Sequence, residues 1–178
     1  RMRGLINDLL AFSRVTTRAE PFREVDLSEV AAEVISDLQI RIQELDARVE
    51  VGYLPTIEAE PTQVRQLLQN LISNALKFHR EGVPPEVSVG AELTRDESGQ
   101  ELCRIRVEDN GIGFEEKHLD RIFTIFQRLH PRGEYPGTGV GLALCAKIAL
   151  RHEGEITARS TPDEGSTFIV TLPVRHEK

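Results

Sequence analysis

Asp109-Asn110-Gly111-Ile112-Gly113-Phe114 is the stretch on which the fold of this chain turns. Cys103, Ile105 and Val107 precede it at alternate positions, the period of a strand with one buried face, so Asp109 shares their side. If that side is the core, a carboxylate there needs a donor partner. A buried acid beside a glycine-rich turn suits recognition of an exocyclic amine, such as adenine N6. A strand that has already ended would instead leave Asp109 as a turn former, and Asn110-Gly111 is a common turn pair. Glycines at alternate positions let backbone approach a ligand closely and accept positive φ without a Cβ penalty.

A second glycine-rich segment, Gly137-Thr138-Gly139-Val140-Gly141-Leu142, leads into a stretch that is apolar nearly all round as far as His152 and reads as a buried helix. Amides at such a helix start, with the positive end of its dipole, suit a polyphosphate. Tight packing of the helix start is the other use of those glycines. Glu153-Gly154 supplies a stop. Between the two glycine segments, residues 115–136 read as a connector with one or two short helical turns. Its Arg128, His130 and Arg132 lie among Pro131, Gly133 and Pro136, as in a cationic lid or a plain surface loop.

Upstream, Pro61 opens a helix predicted to continue to about Arg80. Val64, Leu68, Leu71, Ile72 and Ala75 make its buried stripe. Asn70, Asn74 and Lys77 fall within about 60° of one another on the opposite side. Asparagine is a mediocre helix former, so two of them one turn apart need a reason beyond propensity. An amide oxygen is a hard ligand for Mg²⁺, and a nearby ammonium suits phosphate. A solvated helix face is the alternative.

The rest of the chain frames these segments. Met2, Leu5, Leu9 and Phe12 follow the spacing of a helix seam that stops by Ser13, and a linker follows. Val25 to Ser28 reads as a short strand entering a helix that runs to about Asp46, with Asp26 or Ser28 as N-cap. Arg48 to Leu54 is a weak strand. Val87 to Leu93 and Cys103 to Val107 form a hairpin around the turn Arg95–Gln100. Ile156 to Ser160 and Phe168 to Leu172 form another around Pro162–Gly165. Helices and antiparallel strands in mixed order imply an α+β fold, a mixed sheet covered on one face by helices.

The 178 residues hold one domain with a substantial core plus an appendage. The formal charge of −7 argues against a nucleic-acid binder driven by phosphate neutralisation. No apolar run approaches the roughly 18 residues needed to span a bilayer. Cys103 and Cys145 lack metal-ligand spacing and read as buried thiols, which points to a cytoplasmic chain.

Together these segments resemble the catalytic ATP-binding domain of sensor histidine kinases, in the GHKL (Bergerat-fold) superfamily. Gln69 to Phe78 resembles the N box, Asp109 to Phe114 the G1 box, Phe123-Thr124-Ile125-Phe126 the F box and Gly137 to Leu144 the G2 box. Gly165-Ser166-Thr167-Phe168 matches the usual turn before the last strand. The resemblance implies a two-layer α/β sandwich over residues 26–175. It also implies a linker over 16–25 and, over 1–15, the end of the second dimerisation and phosphotransfer helix of a bundle. Lys77-Phe78-His79-Arg80 is similar to the phytochrome-like kinases of bacteria.

What the resemblance implies about roles is specific. Asn74 coordinates Mg²⁺, with Asn70 supporting the metal or its waters. Lys77 and Arg128 contact the ATP phosphates, and Asp109 accepts from the adenine amine. Gly111 and Gly113 shape the base pocket with Thr167 nearby, and Phe78 lies against the nucleotide. Gly137, Thr138, Gly139, Val140, Gly141 and Leu142 line the phosphate side. The implied partners are a histidine-bearing dimerisation helix, of the same protein or its dimer mate, and the receiver domain of a response regulator.

The sequence departs from the family pattern in two ways. Glu153 stands where glycine is common. None of His79, His118, His130, His152 and His176 has the surroundings of a phosphoacceptor, so the acceptor is expected upstream of this fragment. A serine kinase or a gyrase-type ATPase of the same superfamily is the nearest alternative. Those ATPases carry a glutamate one turn before the metal-binding asparagine, where this chain has Asn70. A degenerate scaffold that binds without catalysis is the other.

Overall fold

The computed structural model describes residues 2–125 and 139–176. In chain order the elements are α1 (Met2–Thr17), β1 (Arg23–Asp26), α2 (Leu27–Asp37), α3 (Gln39–Glu44), β2 (Arg48–Val51), β3 (Thr56–Ala59), α4 (Pro61–Lys77), β4 (Glu86–Arg95) and β5 (Glu101–Asp109). A 3₁₀ turn at Glu116–His118 and α5 (Leu119–Ile122) follow, then α6 (Gly141–Arg151), β6 (Glu155–Thr161) and β7 (Gly165–Pro173).

Five strands form one sheet in the order β2-β4-β5-β7-β6, in which only β2 and β4 run parallel. Alternation sends Val87, Val89, Cys103, Ile105, Val107, Phe168, Val170 and Leu172 into one buried layer. The helices α4 and α6 supply the facing layer through Leu67, Leu68, Leu71, Ile72, Leu144 and Ile148. Burying each of these large side chains stabilises the fold by roughly 1.5–3 kcal/mol. The result is the expected α+β sandwich. α6 is one-sided, however, because Leu150 is 74% exposed.

Helix starts follow the capping chemistry. Asp26 accepts the Ser28 N–H at 2.9 Å, and Glu60 accepts the Thr62 N–H at 2.8 Å ahead of Pro61. Several expected boundaries move. The helix from Leu27 breaks at Leu38, and α4 stops at Lys77, three residues short of Arg80. A small second sheet joins β1 to β3, a strand too short to show alternation.

The first helix runs four residues past Ser13, for tertiary reasons. Val15 is buried, its carbonyl accepts from the Gln63 side chain at 2.8 Å, and Thr17 donates to Ser13 O at 3.0 Å. Lys147 donates to the Phe12 carbonyl at 2.8 Å and lies 4.2 Å from that ring's centre. Local pattern carries no trace of partners so distant in sequence. Leu5, Leu9 and Phe12 are half-buried, whereas Met2 is exposed.

Candidate functional site

α4 touches both glycine-rich segments. At its end, the Phe78 carbonyl accepts the Ile112 N–H at 2.9 Å. Two turns earlier, the Asn70 side chain donates to the Gly141 carbonyl at 3.4 Å. At Asn70 this face is therefore turned towards the start of α6. Asn70, Asn74 and Lys77 are all half-buried on it. The Lys77 ammonium lies 4.7 Å from the centre of the Phe78 ring.

Asp109 is the last residue of β5, still within the sheet and half-buried. It accepts the Gly111 N–H at 2.8 Å. Burial pushes its carboxyl up to about 6, against the pull of the Gly111 and Ser166 backbone N–H groups, and the charge of Glu108 adds to the rise. A carboxylate held at this cost has acceptor capacity left for a ligand N–H.

The glycines are required by space. A Cβ on Gly111 would lie 2.3 Å from the Phe78 carbonyl oxygen, and one on Gly113, at φ +64°, would lie 2.2 Å from Thr161 O. Gly139 has φ +78°. Gly141 differs, since its Cβ would meet nothing nearer than Asn70 Cγ at 3.9 Å. Val140 is fully buried and Leu142 packs on the core, so both anchor the start of α6. Among the described residues no side chain caps that start. Arg128, Gly137, Thr138 and the F-box Phe126 lie outside the described residues. Phe123 packs edge-on against Phe168, with ring centres 6.3 Å apart.

Thr167 does not share the Asp109 side of the sheet. It pairs with Glu108 and Arg159, and alternation puts it on the opposite face. Ser166, which pairs with Asp109, takes the position expected of Thr167. Sequence reasoning also passed over Asn110 as more than a turn residue. Its amide accepts the Glu86 N–H at 2.8 Å and donates to Pro84 O at 3.3 Å, while Arg80 donates to its carbonyl at 2.9 Å. The Asn-Gly pair thus pins the loop after α4 to the end of β5. Ser160 was legible only as a member of an alternating strand, and Ser166 only as part of the turn before the last strand.

The donor set fits a phosphate-held metal better than a protein cage. Among the described residues no group of three or more His, Cys, Asp or Glu could hold a metal ion. Neutral amide oxygens hold Mg²⁺ when ligand phosphates supply the charge. The start of α6 beside Asn70, with no side-chain cap on its amides, fits such phosphates.

Comparisons with known proteins agree with this arrangement. Residues 59–176 match the family model described as histidine kinase-, DNA gyrase B-, and HSP90-like ATPase. Cyanobacterial phytochrome A of Nostoc sp. is 45% identical over 97% of this chain, and the phytochrome-like protein Cph1 of Synechocystis sp. is 40% identical over the same share. The chain spans 22% of the length of each of these relatives. Among solved structures, the catalytic domain of histidine kinase ThkA superposes with a TM-score of 0.72 at 26% identity, covering 88% of this chain and 97% of that one. Full-length ShkA in complex with AMPPNP gives 0.77 at 27% identity, covering 95% of this chain and 35% of that one. The chain belongs to the histidine kinase-, DNA gyrase B- and HSP90-like ATPase family and has the fold of a histidine kinase catalytic domain.

Proposed function

We propose that this domain binds ATP with Mg²⁺ and transfers the γ-phosphoryl group to a histidine outside the chain, for relay to an aspartate of a response regulator. The observation that carries the reading is the contact of α4 with both glycine segments, through Phe78 O to Ile112 N and Asn70 to Gly141 O. One helix thereby sets the distance between a base-reading carboxylate and a phosphate-facing helix start.

In this reading Asp109 accepts from the adenine amine, Gly111 and Gly113 bring backbone to the ring, and Phe78 flanks it. Asn74 holds Mg²⁺, Asn70 supports the metal or its waters, and Lys77 with Arg128 contacts phosphate oxygens. Thr138 and the glycines 137, 139 and 141 line the phosphate path. Bound Mg²⁺ supplies charge neutralisation of the triphosphate. The protein's part is positioning and fixed dipoles, and the accepting imidazole is itself the nucleophile. Residues 1–15 belong to the dimerisation and phosphotransfer helix, residues 16–25 to a linker and residues 26–175 to the catalytic domain. No described helix is long and apolar enough to cross a membrane. We place the domain in the cytoplasm because that is where ATP is supplied.

Calorimetry with ATP and excess Mg²⁺ tests the reading. Saturable heat is expected, together with no phosphohistidine on this chain from labelled ATP. A folded sample giving no heat overturns the assignment. In Asn74→Asp the Mg²⁺ dependence of binding changes if Asn74 is a metal ligand and stays the same if it is an inert amide.

A further inference from the structure

Asp109, Ser166 and Ser160 form a row across three neighbouring strands. Asp109 on β5 pairs with Ser166 on β7, which pairs with Ser160 on β6. Ser166 is almost fully buried. The two hydroxyl oxygens are 2.9 Å apart. Ser160 Oγ also accepts the Phe114 N–H at 2.8 Å and donates to the Gly165 carbonyl at 2.9 Å.

A serine hydroxyl has one proton and two lone pairs. Ser160 gives its proton to Gly165 O and one lone pair to Phe114 N–H. Its other lone pair faces Ser166, so Ser166 must be the donor in the serine pair. The direction of the chain is fixed: Ser166 O–H to Ser160 Oγ, then Ser160 O–H to Gly165 O. The proton of Ser166 is thereby turned away from Asp109. Of the side chains in the row, those on the Asp109 side offer acceptors, the carboxylate and the free lone pair of Ser166. The same hydroxyl ties the end of the first glycine segment, at Phe114, to the β6–β7 turn. That turn lies flush on Asp109, because a Cβ on Gly165 would sit 2.0 Å from the Asp109 carbonyl oxygen.

We propose that Ser160 is a positioning and specificity-determining residue of the nucleotide site, which by taking the Ser166 proton keeps this end of the pocket an acceptor surface selective for an amine-bearing base. The inference rests on the ATP-binding reading above. Without the Ser160 hydroxyl, the Ser166 proton is released to the Asp109 side of the row. A hydroxyl proton presented there tolerates a base with a carbonyl in place of the amine.

The test compares ATP with inosine triphosphate, which differs at that substituent, by calorimetry at fixed Mg²⁺ and neutral pH. Both ligands meet the same fold and the same phosphate contacts, so loss of stability alone leaves their ratio unchanged. The parent chain is expected to prefer ATP. Ser160→Ala is expected to lower that preference about 5- to 10-fold, the scale of one neutral hydrogen bond. Ser160→Thr, which keeps the hydroxyl, is expected to hold the preference within about twofold. If Ser160→Ala does not fold, Ser160→Cys, of similar size but a poor acceptor, takes its place with the same expected loss. An unchanged ratio in the folded Ala or Cys variant overturns the inference, as does a folded Thr variant that loses the preference. A parent that binds ATP and inosine triphosphate equally also overturns it, while leaving the ATP-binding reading intact. A parent that binds neither overturns that reading itself.

Discussion

The imidazole of His152 accepts the Glu60 backbone N–H at 3.1 Å, joining the end of α6 to the N-cap of α4. His152 is fully buried, and its other nitrogen lies 2.8 Å from Ile148 O. One nitrogen must accept and the other donate, so the ring is neutral with its proton on Nδ1. The two helices that carry the site are registered to each other by one tautomer.

The first prediction follows from that bond. Burial pulls the His152 pKa down from 6.5 to about 4, helped by Arg151 and His176 and opposed by Ile148 O. The unfolded chain binds this proton first as pH falls, so the stability His152 contributes is complete above about 6.5 and lost towards 4. The loss is on the order of 2–3 kcal/mol. Urea unfolding at pH 7, 5.5 and 4.5 should show it, and His152→Gln, which cannot titrate, should show a shallower decline. Asp109 acts in the opposite sense, because its raised pKa of about 6 favours the folded state as pH falls towards 3.8. The informative quantity is therefore the difference between variant and parent.

Asp109 gives the second prediction. An ionised carboxylate can only accept, which favours an amine over a carbonyl, whereas the protonated carboxyl can also donate. This carboxyl takes up its proton at about pH 6. The preference for ATP over inosine triphosphate should fall as pH drops from 7.5 to 5, with its midpoint near 6. The ratio cancels titration of the phosphates. Asp109→Asn should weaken ATP binding at least about 10-fold, the loss of a hydrogen bond to a charged group plus a mispaired amide. It should also remove the pH dependence of the ratio. A ratio constant across this range would exclude Asp109 from base recognition.

Much of this site was legible from period alone. A 3.6-residue stripe placed Val64, Leu68, Leu71, Ile72 and Ala75 inside and so put Asn70, Asn74 and Lys77 on the other face. Alternation from Cys103 to Val107 put Asp109 at the end of a strand with the correct side. The resemblance put Thr167 near the base pocket without a face, and a shift of one residue along a strand reverses the face, so the pairing with Asp109 is what brings Ser166 into line with it. Contacts far apart in sequence stayed invisible for the same kind of reason. Gln63 with Val15 and Glu60 with His152 extend or register helices without altering any local pattern. The short β3 has too few residues to display alternation and exists through its pairing with β1.

Glu153 supplies the third prediction. It has φ +61°, and its turn closes with Glu153 N–H to Leu150 O at 2.9 Å and Gly154 N–H to Ala149 O at 2.8 Å. The left-handed conformation costs a residue with a Cβ roughly 1–2 kcal/mol. Glycine's extra freedom in the unfolded chain gives back about 0.5–1 kcal/mol of that. Glu153→Gly should therefore stabilise the domain by about 0.5–1 kcal/mol, a rise of roughly 1–4 °C in melting temperature. Nucleotide binding should not change. Gly154→Ala is the contrasting case, because its Cβ would lie 2.0 Å from Thr171 O and should destabilise the fold.

Gly141 and Gly111 separate ligand space from packing space. A Cβ on Gly111 would strike Phe78 O at 2.3 Å and Asp109 Oδ1 at 2.9 Å, so Gly111→Ala should cost roughly 1–3 kcal/mol of stability before any ligand arrives. A Cβ on Gly141 meets only Asn70 Cγ at 3.9 Å, an ordinary contact, at the first position of α6. Alanine there is a better helix former by about 0.5–1 kcal/mol. Gly141→Ala should therefore melt no lower than the parent. Its added methyl occupies the space beside Asn70 and the helix-start amides, where the phosphates are placed. ATP affinity should fall about 10-fold or more while the melting temperature holds, a combination that packing alone does not produce. Thermal melting and calorimetry on the same sample decide it, and unchanged affinity would move the triphosphate away from the start of α6.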